Sequence, residues 1–329
     1  MQHQTQSYPA IDLAKFLFAF VIVGIHTTVF CQFKWLDMGF DVFSRVAVPF
    51  FFAASGFFFF NKPVSGPNCA RFAKRLLILY LIYSAIFVLI RSILKSEFDS
   101  EGIFLTMVSG IRHLWFLHAL LFGTMIAAIL VRFIKKPWIV YLITALCLVF
   151  RWCTATMWPL FAHIDFLAPL HGSQQEAAFI GLWNALCFAL PMVLVGHRLS
   201  QSEPKFSMFG NLIAVFLSFM LLGAETYISS AILHTDSRTI YLSCVPLAFF
   251  AMRLCQQIQH PKDLAVSLFM RKTSTLIYCI HPAFILTPGA YIAPGIARFA
   301  VVSLCALAFG ILVYWGSKQR HGGWLRYFQ

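Results

Sequence analysis

Apolar runs of about twenty residues recur along the whole chain, and each is long enough to cross the roughly 30 Å hydrocarbon core of a bilayer as a helix. They cover about residues 9–31, 42–60, 72–95, 112–133, 137–156, 178–198, 206–232, 238–257, 268–289 and 294–316. Short charged or Pro/Gly-bearing turns separate them. With 60% hydrophobic residues, 11% charged residues and 37 phenylalanines, a soluble chain of 329 residues has no core large enough to hide that surface. The pattern predicts an all-α, polytopic integral membrane protein of about ten transmembrane helices. The first run is span-length with no basic stretch before it, so it does not read as a cleaved signal peptide. Without a low-complexity linker or clear internal repeat, residues 1–329 are expected to form a single transmembrane domain with no appended soluble domain.

The net charge of +13 does not indicate nucleic acid, because it is distributed by side. With loops assigned alternately, most of the Lys and Arg fall on one side, where Glu203 and Asp263 are the acids. Lys and Arg collect in cytoplasmic loops, so both termini are expected to be cytoplasmic. The nine cysteines are odd in number, lack metal-ligand spacing and lie mainly in apolar segments. They read as reduced, small apolar side chains, and no metal is expected.

Ionisable side chains inside such spans are costly and mark function by default. The first span carries Asp12, Lys15 and His26. At about 100° per residue, Lys15 and His26 lie roughly 20° apart around a helix and about 16 Å apart in depth, with Asp12 about 40–60° from either. One face therefore holds a charged pair near one membrane surface and a titratable base near the other.

Further along, Arg45 enters the second span ahead of Pro49, and Ser55–Gly56 forms a small notch suited either to helix packing or to a ligand. Arg71, Lys74 and Arg75 cluster where the third span begins, as a positive-inside anchor or as a seat for phosphate. Arg112, His113, Trp115 and His118 gather at the outer end of the fourth span; Trp115 suits an interfacial anchor, His113 a polar pocket. The loop at 157–177 holds Trp158, His163, Asp165, His171 and Glu176, which read as a solvated loop, a carbohydrate site or metal ligands. Glu225 lies inside the seventh span, a long one expected to tilt or bend near Gly223, and needs a partner, a proton or water. His281 precedes Pro282 in the ninth span, where a hydrogen bond holding a broken helix explains it as well as a site does.

Taken in order, several segments resemble the integral-membrane acyltransferase family 3, which includes many bacterial O-acetyltransferases. They are Asp12–Leu13–Ala14–Lys15 leading to His26, Arg45 through Pro49–Phe50–Phe51 to Ser55–Gly56, and the Arg71/Lys74/Arg75 turn. His113–Leu114–Trp115–Phe116, the Asn184, Phe188–Ala189–Leu190–Pro191, Gly196 pattern, and Tyr278–Cys279–Ile280–His281–Pro282 continue the set. Lys15 stands where the family commonly has Arg, keeping the charge without the planar fork. The resemblance implies a bacterial cytoplasmic (inner) membrane enzyme using acetyl-CoA or another acyl-CoA as donor. The acceptor would be a hydroxyl of a cell-surface or lipid-linked carbohydrate, reached directly, through a separate acyl-relay protein or within a homo-oligomer.

On that reading His26 is the general base, with an acyl-imidazole as a chemical variant. Arg45 and His113 orient the acceptor or stabilise oxyanion charge. Lys15, Arg71, Lys74 and Arg75 hold the donor; Asp12, expected to pair with Lys15, joins Ser55, Trp115, Glu225 and His281 as support or acceptor contacts. Two other classes fit the residues. A transporter of a small polar solute suits the kinked spans, although no matching broken helices in two halves mark an inverted repeat. A membrane sensing or interaction module is the other, since some relatives form the membrane half of resistance-associated racemases.

Overall fold

A computed structural model of the chain describes residues 8–95, 112–173, 177–235, 240–258 and 264–329. Among these the secondary structure is helical throughout, with no strand. The principal helices are α1 (Pro9–Thr27), α2 (Lys34–Ser44), α3 (Ala47–Phe60), α4 (Gly66–Lys95), α5 (Trp115–Phe133) and α6 (Pro137–Arg151). They continue as α7 (Ala177–Asn184), α8 (Leu190–Ser200), α9 (Met208–Tyr227), α10 (Cys244–Gln257), α11 (Leu264–Leu286) and α12 (Ile296–Gly316). Their ends follow local chemistry. Pro9 and Pro137 occupy the first turns of α1 and α6, where a missing N–H costs nothing. Ser207 caps α9 by accepting from the Gly210 N–H, and α1 stops at Thr28 in the left-handed region (φ 50°).

Eight described helical stretches are long and apolar enough to cross a membrane: Pro9–Thr27, Lys34–Phe60, Gly66–Leu94, Trp115–Phe133, Pro137–Thr156, Ile180–Ser200, Met208–Ile232 and Ile296–Gly316. The protein is thus a multi-pass membrane protein. The expected eighth and ninth spans also form helices, α10 and α11, without meeting that apolar test. The described α10 is short, at 14 residues. α11 has 23 residues, about 34 Å of helix, but its hydropathy is lowered by Ser267, Arg271, Lys272, Ser274 and His281. The seventh span is irregular past Gly223, at a π turn over Ile228–Ile232.

The chain divides into two compact units: the described parts of residues 1–47 with 252–329, and residues 48–251. In the first, α1 lies against α11, and α12 packs on both. Asp12 meets Arg271 and His26 meets His281, so α1 and α11 run in the same direction. Gly310 brings α12 close enough to Thr273 that a Cβ would stand 2.8 Å from its methyl carbon.

In the second unit α3 crosses α8 backbone to backbone. A Cβ on Gly56 would run into the main chain of Val193, and one on Gly196 into that of Ala53 and Phe57. Phe52 fills the space beside this crossing, 4.5 Å from Phe116 and 5.6 Å from Phe188 between ring centres. Small residues at such contacts let helices exchange dispersion contacts where lipid supplies no hydrophobic drive. Gly196→Ala is therefore expected to cost about 1–3 kcal/mol by overpacking, read as a lower melting temperature in detergent. Gly223→Ala, with nothing within 4 Å of the added carbon, is the control expected to melt with wild type. Equal melting of both variants would mean that α3 and α8 are not in backbone contact.

Candidate functional site

In the first unit the polar residues of α1 meet those of α11 at two levels. At the lower level Asp12 is fully buried and its two oxygens accept from Arg271 Nε (2.9 Å) and Nη2 (2.8 Å). Ser267, one turn before Arg271, donates its hydroxyl to the same carboxylate. The expected partner of Asp12 was Lys15; the carboxylate goes to Arg271 instead. A guanidinium arriving from α11 offers two parallel donors that match both oxygens, which a single ammonium on the next turn of α1 cannot. Lys15 itself is half-buried.

At the upper level, in the last turn of α1, His26 is exposed and His281 of α11 is fully buried. Their ring centres stand 5.2 Å apart with planes 32° from parallel. Arg45, at the end of α2, is held by Asp41 one turn earlier, with Nη2 2.7 and 2.9 Å from the two carboxylate oxygens. The Arg45 side chain is only 15% exposed, so this pairing removes much of the cost of burying its charge.

The second unit holds the remaining expected residues. Arg71, Lys74 and Arg75 are exposed near the start of α4. His113 is buried in a short 3-10 turn ahead of α5, its ring edge-on to Phe87 at 5.2 Å. Trp115 lies in aromatic packing, 6.3 Å from Phe52 and stacked on Phe188 at 6.4 Å. Ser55 is half-buried beside the Gly56 crossing.

Glu225 is buried and accepts from Trp152 Nε1 (2.6 Å), the backbone N–H groups of Leu242 and Ser243 (2.9 Å each) and the Ser243 hydroxyl. This carboxylate ties the end of α6, the end of α9 and the approach to α10 together with neutral donors. In the outer loop, His171 stacks on Trp158 (4.2 Å, 4°) and its Nδ1 lies 2.6 Å from the Thr154 carbonyl. Glu176 lies outside the described residues. Among the described residues no three His, Cys, Asp or Glu side chains gather as metal ligands.

The sequence alone singled out none of Arg271, Ser267, Asp41, Trp152 and Ser243. Two signals were present: Ser267 and Arg271 are four residues apart on one helix face, and Asp41 is four before Arg45.

A helical, multi-pass membrane protein with a buried ion pair and a histidine pair between the same two helices is the class that these features define. Residues 8–315 match a family model described as an acyltransferase domain, and the chain belongs to this acyltransferase-3 family. An amino-acid racemase from Enterococcus faecalis is 30% identical over 140 residues, which make up 39% of this chain and 19% of the racemase. The chain thus spans less than a fifth of that curated relative. No solved structure matches it.

Two stability outcomes follow from the geometry. Asp12→Ala leaves Arg271 without its carboxylate; with that side chain 35% exposed, the expected loss is about 2–4 kcal/mol, larger than for Lys15→Ala in detergent melting. The reverse order would make Lys15 the partner on which Asp12 depends. Glu225→Ala strands an indole N–H and two backbone N–H groups, at about 1–3 kcal/mol for each group left unsatisfied. Glu225→Gln, which retains one acceptor oxygen, is expected to melt between it and wild type; an Ala variant as stable as wild type would remove the staple.

Proposed function

We propose that the protein is a membrane O-acyltransferase that moves an acyl group, acetyl in the simplest case, from cytoplasmic acyl-CoA to a hydroxyl of a cell-surface or lipid-linked carbohydrate. Its place would be the cytoplasmic membrane of a bacterium. The family match over residues 8–315 carries this reading. The exposure of His26 beside a buried histidine supports a reactive role for it.

His26 takes the proton as the acceptor oxygen attacks the thioester carbonyl. The tetrahedral intermediate collapses, the C–S bond breaks, and the departing CoA sulfur takes the proton from His26. A histidine suits both halves because its ordinary titration range brackets neutral pH. Arg71, Lys74 and Arg75 hold the CoA phosphates, where the guanidinium fork matches phosphate oxygens. Their exposure leaves them available to an anionic ligand. Arg45, oriented by Asp41, is the group proposed to meet negative charge on the acceptor side. Lys15 is kept as a further cation on the face of α1 that carries His26. The aromatic packing of Trp115 and the burial of His113 favour support of that fold over a chemical step.

The direct test is acetyl-CoA binding to the detergent-purified protein. Wild type is expected to bind, and Arg75→Ala or Arg71→Ala to weaken binding about tenfold, the worth of one charge-assisted contact. His26→Ala is expected to bind acetyl-CoA normally but to transfer no label from radiolabelled acetyl-CoA to native membranes. Absence of binding by a folded wild-type sample would remove acetyl-CoA as the donor, and an active His26→Ala protein would remove the base.

A further inference from the structure

Proline carries no N–H, so Pro282 cannot donate to the carbonyl four residues earlier in α11, that of Tyr278. Inside a membrane protein a carbonyl freed in this way has to find another donor. The residue beside the proline supplies it: His281 Nδ1 stands 2.8 Å from the Tyr278 oxygen, with the Ile277 oxygen at 3.2 Å. A carbonyl oxygen only accepts, so Nδ1 carries the hydrogen. In the neutral ring Nε2 is then the acceptor. The tautomer of His281 is thus set by the residue that follows it.

The neighbour of this ring is His26, at 5.2 Å between centres and 32° between planes. An edge-to-edge N–H···N bond of about 3 Å separates two imidazole centres by about 5 Å. The spacing of the two rings is that of such a bond. We propose that His281 Nε2 accepts a hydrogen bond from the His26 ring, making His281 the positioning residue that fixes which nitrogen of His26 takes the hydroxyl proton. The proposal rests on His26 being the base of the transfer described above.

In this arrangement His26 turns one N–H inward and presents the lone pair of its other nitrogen outward. On taking the acceptor's proton it becomes an imidazolium whose inward N–H is still held. The logic is that of a carboxylate that orients a catalytic histidine, with a neutral acceptor in place of an anion. A neutral acceptor stabilises the imidazolium less, but it needs no counter-charge where the orienting group has no exposure at all. Pro282 is part of the device, because it frees the carbonyl that keeps His281 in the accepting tautomer.

The test separates the two nitrogens of His281. Glutamine places its amide near Nε2 and keeps an acceptor towards His26, whereas asparagine places its amide near Nδ1 and keeps only the bond to Tyr278. Transfer from radiolabelled acetyl-CoA to native membranes is followed for both. His281→Gln is expected to lose about threefold in kcat and His281→Asn about a hundredfold, with the KM for acetyl-CoA unchanged in each. A His281→Asn protein as active as His281→Gln, or more so, would confine His281 to sealing the helix and overturn the proposal.

Should both variants unfold, nitrogen NMR of wild-type protein isotope-labelled at histidine decides. Deleting the His26 ring by His26→Ala must move the Nε2 resonance of His281, and an unmoved resonance overturns the proposal equally. That readout needs no turnover. If His26→Ala kept its transfer activity, the general-base reading would fail while the resonance still reported whether the rings are bonded.

Discussion

The pairing of Asp12 with Arg271 is the contact on which the rest of the first unit depends. A carboxylate with no exposure cannot be left without donors, and two guanidinium N–H groups plus the Ser267 hydroxyl meet that need. Because the fork is directional, it sets the axial register of α1 against α11, and the consequence appears at the other end of the pair. From Asp12 to His26 α1 rises about 21 Å, and from Arg271 to His281 α11 rises about 15 Å. The reach of the arginine side chain helps to take up the difference, and the two histidines meet. The parallel course also explains why α11 escapes an apolar criterion for spans. Ser267, Arg271 and His281 are turned to α1 and Thr273 to α12, so average hydropathy understates a helix of full membrane length.

In the second unit the same constraint is met at Glu225 by neutral donors. Glu225 is satisfied by an indole N–H, a hydroxyl and two backbone N–H groups just ahead of α10. One of those donors and the acceptor itself lie beside irregular turns: Trp152 opens the π turn Trp152–Thr156, and Glu225 lies just before the π turn Ile228–Ile232. Widened turns re-aim side chains, and they recur at functional sites for that reason. Here they turn a tryptophan edge towards an acid. The third π turn, Ala185–Ala189, packs on Gly123 of α5, where a Cβ would stand 2.9 Å from that of Ala189.

These contrasts explain which parts were legible in the sequence. The helical membrane class was, because span length and apolarity report directly on a bilayer. The need of Asp12 and Glu225 for donors was legible for the same reason. The identity of those donors was not: Arg271 lies 259 residues from Asp12, among many cations that the positive-inside rule already accounts for. The neighbours of Trp115 were not legible either: its ring packs with Phe52 and Phe188, residues that carry no mark in a chain so rich in phenylalanine. Gly56 and Gly196 were more informative, since an absent Cβ in an apolar helix has few uses besides close approach.

The two levels of the α1–α11 pair differ in a way that bears on chemistry. Arg271 is about one-third exposed, and there a full charge pair is sustained. His281 has no exposure, and there one ring nitrogen is committed to a backbone carbonyl. Charge would be costly at that depth, because a second imidazolium beside a protonated His26 would repel it across about 5 Å of weakly polar surroundings. Of the two rings, the exposed His26 is the one that solvent or an acceptor hydroxyl can reach. Under the proposed function, a base that must gain a proton and return it to a leaving sulfur would be served by a partner that holds its ring without competing for the proton. In that proposal the missing N–H of Pro282, inside a continuous α11, is what would make such a partner out of an ordinary histidine.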